Sequence, residues 1–171
     1  MDPIDLFDRG SAWTATKVAG AKEKLDKPTP CDDWKVRDLL NHLISSNRFF
    51  QASARGEKAS PPQGKPKEQI SSDPLADYER ERHQTMEAFG DPQKKQGLEM
   101  AFVEQLVHGW DLAKATGQKT NMPPDLAEAA LKIVDGKMPP EQRGEFFGPE
   151  VEVPDDASPQ EKLLAYSGRE P

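Results

Sequence analysis

Residues 102–113 read FVEQLVHGWDLA, and they limit the fold more than any other stretch of the chain. Phe102, Val103, Leu106, Val107, Trp110, Leu112 and Ala113 leave almost no polar side for a helix of this length, so such a helix must be surrounded by other elements. Glu104, His108 and Asp111 interrupt it at i, i+4 and i+7. At about 100° of turn per residue these three fall within one narrow arc, flanked by Met100, Ala101, Val107 and Leu112. Their side chains are expected to point into the protein. A buried carboxylate needs a charge partner, a proton or a metal ion to offset its desolvation.

What surrounds this helix follows from the punctuation of the chain. Ile4, Phe7, Ala12, Ala15, Val18, Ala19, Ala21 and Leu25 form an approximate helical stripe over residues 4–25, ended by the proline-bearing DKPTPCDDW. VRDLLNHLISSNRFFQASARG gives a second helix that stops at Gly56. Residues 57–73 are rich in Pro, Gly, Ser and Lys and read as a long crossover loop. Asp73 with Pro74 predicts the start of a third helix along Leu75, Tyr78, Arg82, Met86 and Phe89, closed by Gly90. The fourth runs from Leu98 to Thr116 with Gly117 as its stop. PPDLAEAALKIVDG predicts a shorter helix from near Pro124. SPQEKLLAYSG predicts a terminal one, in which Ser158 and Glu161 make a capping box and Gly168 the stop. No convincing pair of strands is present, so the expected class is all-α: a four-helix bundle in one domain, 1–171, with its core over about 3–117 and a C-terminal extension over 118–171.

Charge and cysteine content narrow the function classes. With 23 basic and 30 acidic residues among 171, the net charge is −7. That argues against a phosphate-binding surface, so no nucleic-acid partner is expected. The single cysteine, Cys31, can form no intrachain disulfide, which fits a reducing cytoplasm. No run of eighteen apolar residues and no apolar leader is seen in MDPIDLFDRG, so neither a membrane span nor a signal peptide is expected. A symmetric homodimer is the default expectation for assembly.

The second helix offers the inward polar arc a partner. His42 shares a face with Leu39 and Phe49, opposite Arg37 and Arg48, and should also point inward. His42, Glu104 and His108 would then make a three-donor set from facing helices, with one coordination position left open, as in a catalytic rather than a structural zinc site. The same three side chains could instead satisfy one another by hydrogen bonds alone. Asp111 reads as an acceptor that orients a ligand, or as a buried salt-bridge partner, rather than as a fourth donor. His83 falls off its helix stripe and reads as solvated. Cys31 reads as a small buried residue first and a reactive thiol second. Trp34 and Trp110 read as core anchors.

TPCDDWKVRDLLNHL, EQLVHGWDLAKATGQ and FGPEVEVPDDASPQEKLLAYSGR, taken together and in this order, resemble the DinB-like superfamily. The nearest branch is the small proteins related to the metal-binding N-terminal domain of mycothiol-dependent maleylpyruvate isomerase. The resemblance implies an up-down-down-up four-helix bundle with a long crossover. It also implies a divalent metal held by His42, Glu104 and His108. Zinc suits that set first, and nickel, iron or manganese also suit it.

The implied activity is a transferase or isomerase reaction that joins a low-molecular-weight thiol such as mycothiol to a small electrophile, with Asp111 orienting a ligand or receiving a proton. The alternatives are a non-catalytic metal-binding protein of stress or sensing, a metal-activated hydrolase, and a metal-free interaction bundle. Two departures stand out. Lys35 occupies the place where relatives usually carry a capping Ser or Thr, and the connection from Phe89 to Leu98 looks short. The isomerase carries a further C-terminal domain, where only a short tail follows Gly136 here, so isomerase activity does not follow.

Overall fold

A computed structural model describes residues 1–31, 33–90, 97–135 and 147–171. Among these residues the regular structure is helical: α1 (Pro3–Ala19), a 3-10 turn at Lys22–Lys24, α2 (Val36–Ala54), α3 (Pro74–Ala88), α4 (Leu98–Thr116), α5 (Pro124–Val134) and α6 (Pro159–Tyr166). An isolated bridge pairs Pro28 with Lys35. The all-α expectation therefore holds. No described helix is long and apolar enough to cross a membrane. The chain divides into two compact units, Met1–Thr120 and Asn121–Pro171.

In the first unit the helix boundaries follow local chemistry at most ends. Asp2 accepts the Ile4 amide at 2.9 Å and Asp73 accepts that of Ala76 at 3.2 Å, each just ahead of a proline in the first turn. Gly56 and Gly117 take φ of +73° and +70° beyond α2 and α4, a conformation that L side chains rarely adopt. α1 departs from expectation, stopping at Ala19 rather than near Leu25. Gly20 takes the C-cap, and the Gln118 side-chain amide donates to the Lys17 carbonyl at 2.9 Å, taking an acceptor that the helix end leaves open.

α2 begins less favourably. Lys35 holds the N-cap position and supplies no side-chain acceptor, so only the reciprocal bond forms, from the Lys35 amide to Asp38 Oδ2 at 3.0 Å. The Lys35 ammonium reaches Asp26 at 3.5 Å, with both side chains largely exposed, a contact of little energetic weight. Lys35→Ser is therefore expected to raise stability by about 0.5–1 kcal/mol, by capping the amide of residue 38. A higher urea midpoint with an unchanged m-value would check it.

Pairs of contacting side chains give the helix directions. Gly10 meets Phe102 and Thr14 meets both Gln105 and Gly109, so α1 and α4 run the same way. Arg48 pairs with Glu81 and Gln51 with Thr85, so α2 and α3 are also parallel. Ser11 meets Tyr78 and Asp8 meets Arg82, which makes α1 and α3 antiparallel. Ser46 meets Glu104 while His42 meets His108, which makes α2 and α4 antiparallel. These contacts describe an up-down-down-up order.

Two adjacent parallel helices need a return path, here along α2, which is about 28 Å long at ~1.5 Å per residue. Residues 55–73 provide it. Asn41 Oδ1 accepts the amides of Gln69 and Ile70 at 2.6 and 2.9 Å, pinning this crossover to α2, and Ile70 is buried.

The core is built from Phe7, Val18, Val36, Leu39, Leu43, Leu98, Phe102, Leu106 and Leu112, all fully buried. Each such side chain contributes about 1.5–3 kcal/mol of transfer free energy. Glu81 is buried between α2 and α3. Desolvation opposes its charge, but hydrogen bonds from Arg48 and Gln51 and the charges of Arg48 and Arg80 outweigh it, holding its carboxyl below the ordinary glutamate value.

The second unit forms around α5 and α6. α5 buries Leu126, Ala127, Ala130, Ile133 and Val134, and α6 buries Leu163 and Leu164. Ser158 and Glu161 make the expected capping box, with the Ser158 amide donating to Glu161 Oε2 at 2.7 Å. Gly168 at φ +81° lets its backbone approach that of Gly148 more closely than any Cβ would permit. The Val151 amide then donates to the Ala165 carbonyl at 3.0 Å.

Candidate metal centre

His42 projects from α2 between turns that carry Leu39 and Leu43 into the core, and Glu104 and His108 project from α4 one turn apart. The antiparallel α2 and α4 bring the three together. His42 Nε2 lies 3.0 Å from Glu104 Oε1, and the rings of His42 and His108 meet edge to face at 4.9 Å between centroids. One donor atom from each of His42, Glu104 and His108 falls within 4.8 Å of the others. Side-chain exposures of 12%, 16% and 13% leave the group largely but not completely buried.

The surroundings fix each member. Ser46, one turn beyond His42, donates its hydroxyl to Glu104 Oε1. Burial opposes ionisation of Glu104, but the hydrogen bond and charge of His42, the charge of His108 and the bond from Ser46 prevail, so its carboxyl sits below the ordinary glutamate range. Asp111, with its side chain fully buried, meets His108 Nδ1 at 3.0 Å through Oδ2. The Trp34 ring lies against that of His42, 4.9 Å away and tilted by 50°. The Cys31 thiol reaches Asp111 Oδ2 at 3.4 Å, which gives a further group of three donors, Cys31, His108 and Asp111.

This donor chemistry suits a divalent transition metal. Nitrogen and oxygen ligands about 2.0–2.1 Å from zinc stand roughly 3.3 Å from one another in a tetrahedron. The separation of His42 from Glu104 is close to that edge. A carboxylate on the second nitrogen of a ligating imidazole, as Asp111 is on His108 Nδ1, fixes the tautomer and directs Nε2 outward.

The other residues singled out in the sequence lie as follows. His83 is exposed on α3, its Nδ1 2.6 Å from the Glu79 carbonyl of its own helix. Trp110 is buried, with the Lys114 ammonium over its ring at 4.9 Å. Trp34 is only half-buried, packed on the core at one edge and on His42 at the other. Phe49 and Met100 are half-buried. The connection before α4 falls largely on residues 91–96, and the tail beyond Gly136 begins with 136–146, both outside the described residues. Sequence reasoning missed Ser46, although its spacing of four from His42 placed it on the same face. It also missed the contact of Cys31 with Asp111, which no local spacing could reveal.

Two uncharacterized proteins of Mycobacterium tuberculosis, from two strains, are each 29% identical to this chain over 185 residues, covering 99% of it and 98% of the relative. No solved structure matches. Residues 7–91 match the model of the mycothiol maleylpyruvate isomerase N-terminal domain, a stretch that includes His42 and ends before Glu104 and His108. The three sequence blocks, the helical architecture and this match agree, and over residues 7–91 the chain is similar to the mycothiol maleylpyruvate isomerase N-terminal domain.

Proposed function

We propose that the protein binds a divalent metal through His42, Glu104 and His108 and uses it to activate a low-molecular-weight thiol of the mycothiol type for transfer to a small electrophile. The observation that carries this reading is the meeting of the three donor side chains from two facing helices. The family description supports the choice of thiol. Zinc suits the donors best, with nickel, iron or manganese as alternatives. When bound, such an ion supplies a Lewis acid that lowers the pKa of a coordinated thiol.

The protein's own residues do the rest. His42 and Glu104 hold the α2 and α4 sides of the site, and Ser46 keeps the Glu104 carboxylate from rotating. Asp111 holds His108 in one tautomer and balances the charge that gathers there. The partial exposure of the donor side chains favours catalysis over a sealed, passive metal site. The single cysteine supports a reducing, cytoplasmic setting, and a homodimer is the proposed assembly.

Elemental analysis of protein purified without chelator or affinity-tag metal tests the reading. About one metal ion per chain is expected in the wild type and almost none in His42→Ala. Wild-type protein that takes up no zinc, nickel or manganese on incubation would overturn it.

A further inference from the structure

A second donor group shares His108 with the first and contains neither His42 nor Glu104. Its Cys31 sulfur comes from the turn ahead of α2, while His108 and Asp111 come from α4. Cys31 does not join His42 and Glu104 as a fourth donor, since the two groups share His108 alone. We propose that Cys31, His108 and Asp111 form a second metal site, selective for a thiophilic divalent cation such as cadmium over the zinc of the first site.

The spacing supports coordination. A thiolate at about 2.3 Å from zinc and a carboxylate oxygen at about 2.0 Å stand roughly 3.5 Å apart in a tetrahedron. Cys31 Sγ and Asp111 Oδ2 are 3.4 Å apart, and Asp111 Oδ2 and His108 Nδ1 are 3.0 Å apart. The ion would need little rearrangement of these side chains. A thiolate in the set selects softer ions, where the His42, Glu104 and His108 group has only nitrogen and oxygen.

An entry path is also present. Cys31, Trp34 and Lys35 line a surface groove of about 390 Å³, on which Asp33 presents an exposed carboxylate that favours an approaching cation while the carboxylate of Asp26 is paired with Lys35. Asp33 adopts φ +58°, an uncommon conformation for a residue with a side chain. Binding breaks the Cys31 S–H bond, forms a metal–sulfur bond and sends the proton to solvent, with no change of oxidation state. Asp111 exchanges its contact with His108 for a bond to the ion.

Because Cys31 is the only cysteine, thiolate-to-cadmium charge-transfer absorption reports this site alone. Titration of the full chain with cadmium chloride should develop the ultraviolet band to a saturating endpoint. Cys31→Ser should abolish it and lower cadmium affinity by about tenfold or more, and Asp111→Asn should weaken it. His42→Ala and Glu104→Gln should retain the band. Saturation of the wild type without a band would overturn the proposal, and so would loss of the band in both of those variants, which would make Cys31 part of the first site. The proposal does not rest on the first site being filled: zinc content lost in His42→Ala with the cadmium band retained separates the two.

Discussion

His108→Ala is expected to lower metal affinity at both donor groups, by more than about a hundredfold at the first, whereas His42→Ala should affect the first group alone. The difference follows from position. His42 belongs only to the first donor group, whereas His108 meets both His42 and Asp111 and belongs to both groups. Asp111 is expected to matter almost as much as a ligand. Its carboxylate accepts from His108 Nδ1, and loss of such a partner typically costs about 10–100-fold in metal affinity. Asp111→Asn keeps an oxygen that can accept the same bond but removes the charge, so it should fall at the mild end of that range. Asp111→Ala leaves the His108 ring without that restraint and should fall at the severe end. Competition titrations against a chromophoric chelator would rank the variants. Equal affinities for Asp111→Ala and wild type would remove Asp111 from the site.

Much of this centre was legible in the sequence because a helix converts spacing into direction. Glu104, His108 and Asp111 share an arc by arithmetic alone, and the apolar residues around them say that the arc faces inward. His42 was legible for the same reason on α2. The pairing of His42 with Glu104 was less so, since it depends on how α2 lies against α4; the two inward faces suggested it and the family resemblance agreed. Cys31 shows where local reasoning ends. It lies 80 residues from Asp111 in sequence and reaches it only because the turn ahead of α2 folds over α4. A short polar residue in a loop carries no periodicity from which such a contact could be read.

The fold divides the same way. α3, α4 and α6 start or stop where Asp73, Ser158, Gly117 and Gly168 indicate, because caps and positive-φ glycines act within one turn of the chain. α1 ends before Gly20, short of its apolar stripe, and its open Lys17 carbonyl is taken by Gln118 from beyond α4, a partner that no local pattern reveals. The buried bond from Tyr78 to Gln105 Oε1 at 2.6 Å is another case. Each residue alone looks like an ordinary member of its helix, and only the packing of α3 near α4 makes them a pair.

The close approach of α1 to α4 also connects stability to the metal centre through Gly109, the residue after His108. A Cβ at Gly109 would stand 2.4 Å from Thr14 Oγ1 and 2.7 Å from the Trp13 ring. Thr14 cannot give way cheaply: it is fully buried, stiff at χ1, and donates to the Gln105 carbonyl at 2.8 Å. Helix propensity alone would favour alanine by up to about 1 kcal/mol, so the sign is set by the overlap. Gly109→Ala is expected to destabilise by about 1–3 kcal/mol, as overpacking of a filled interior does. For a chain of this size that lowers Tm by roughly 2–4 °C per kcal/mol. The same shift should push α4 away from α1, displacing His108 and reducing metal affinity, whereas Thr14→Ser with Gly109→Ala should recover part of the lost stability, because the smaller residue can turn its hydroxyl aside. Calorimetry of the single and double variants, with metal content measured alongside, checks both effects. A single variant as stable as wild type would show that the two helices separate without cost and that the glycine does not set their spacing.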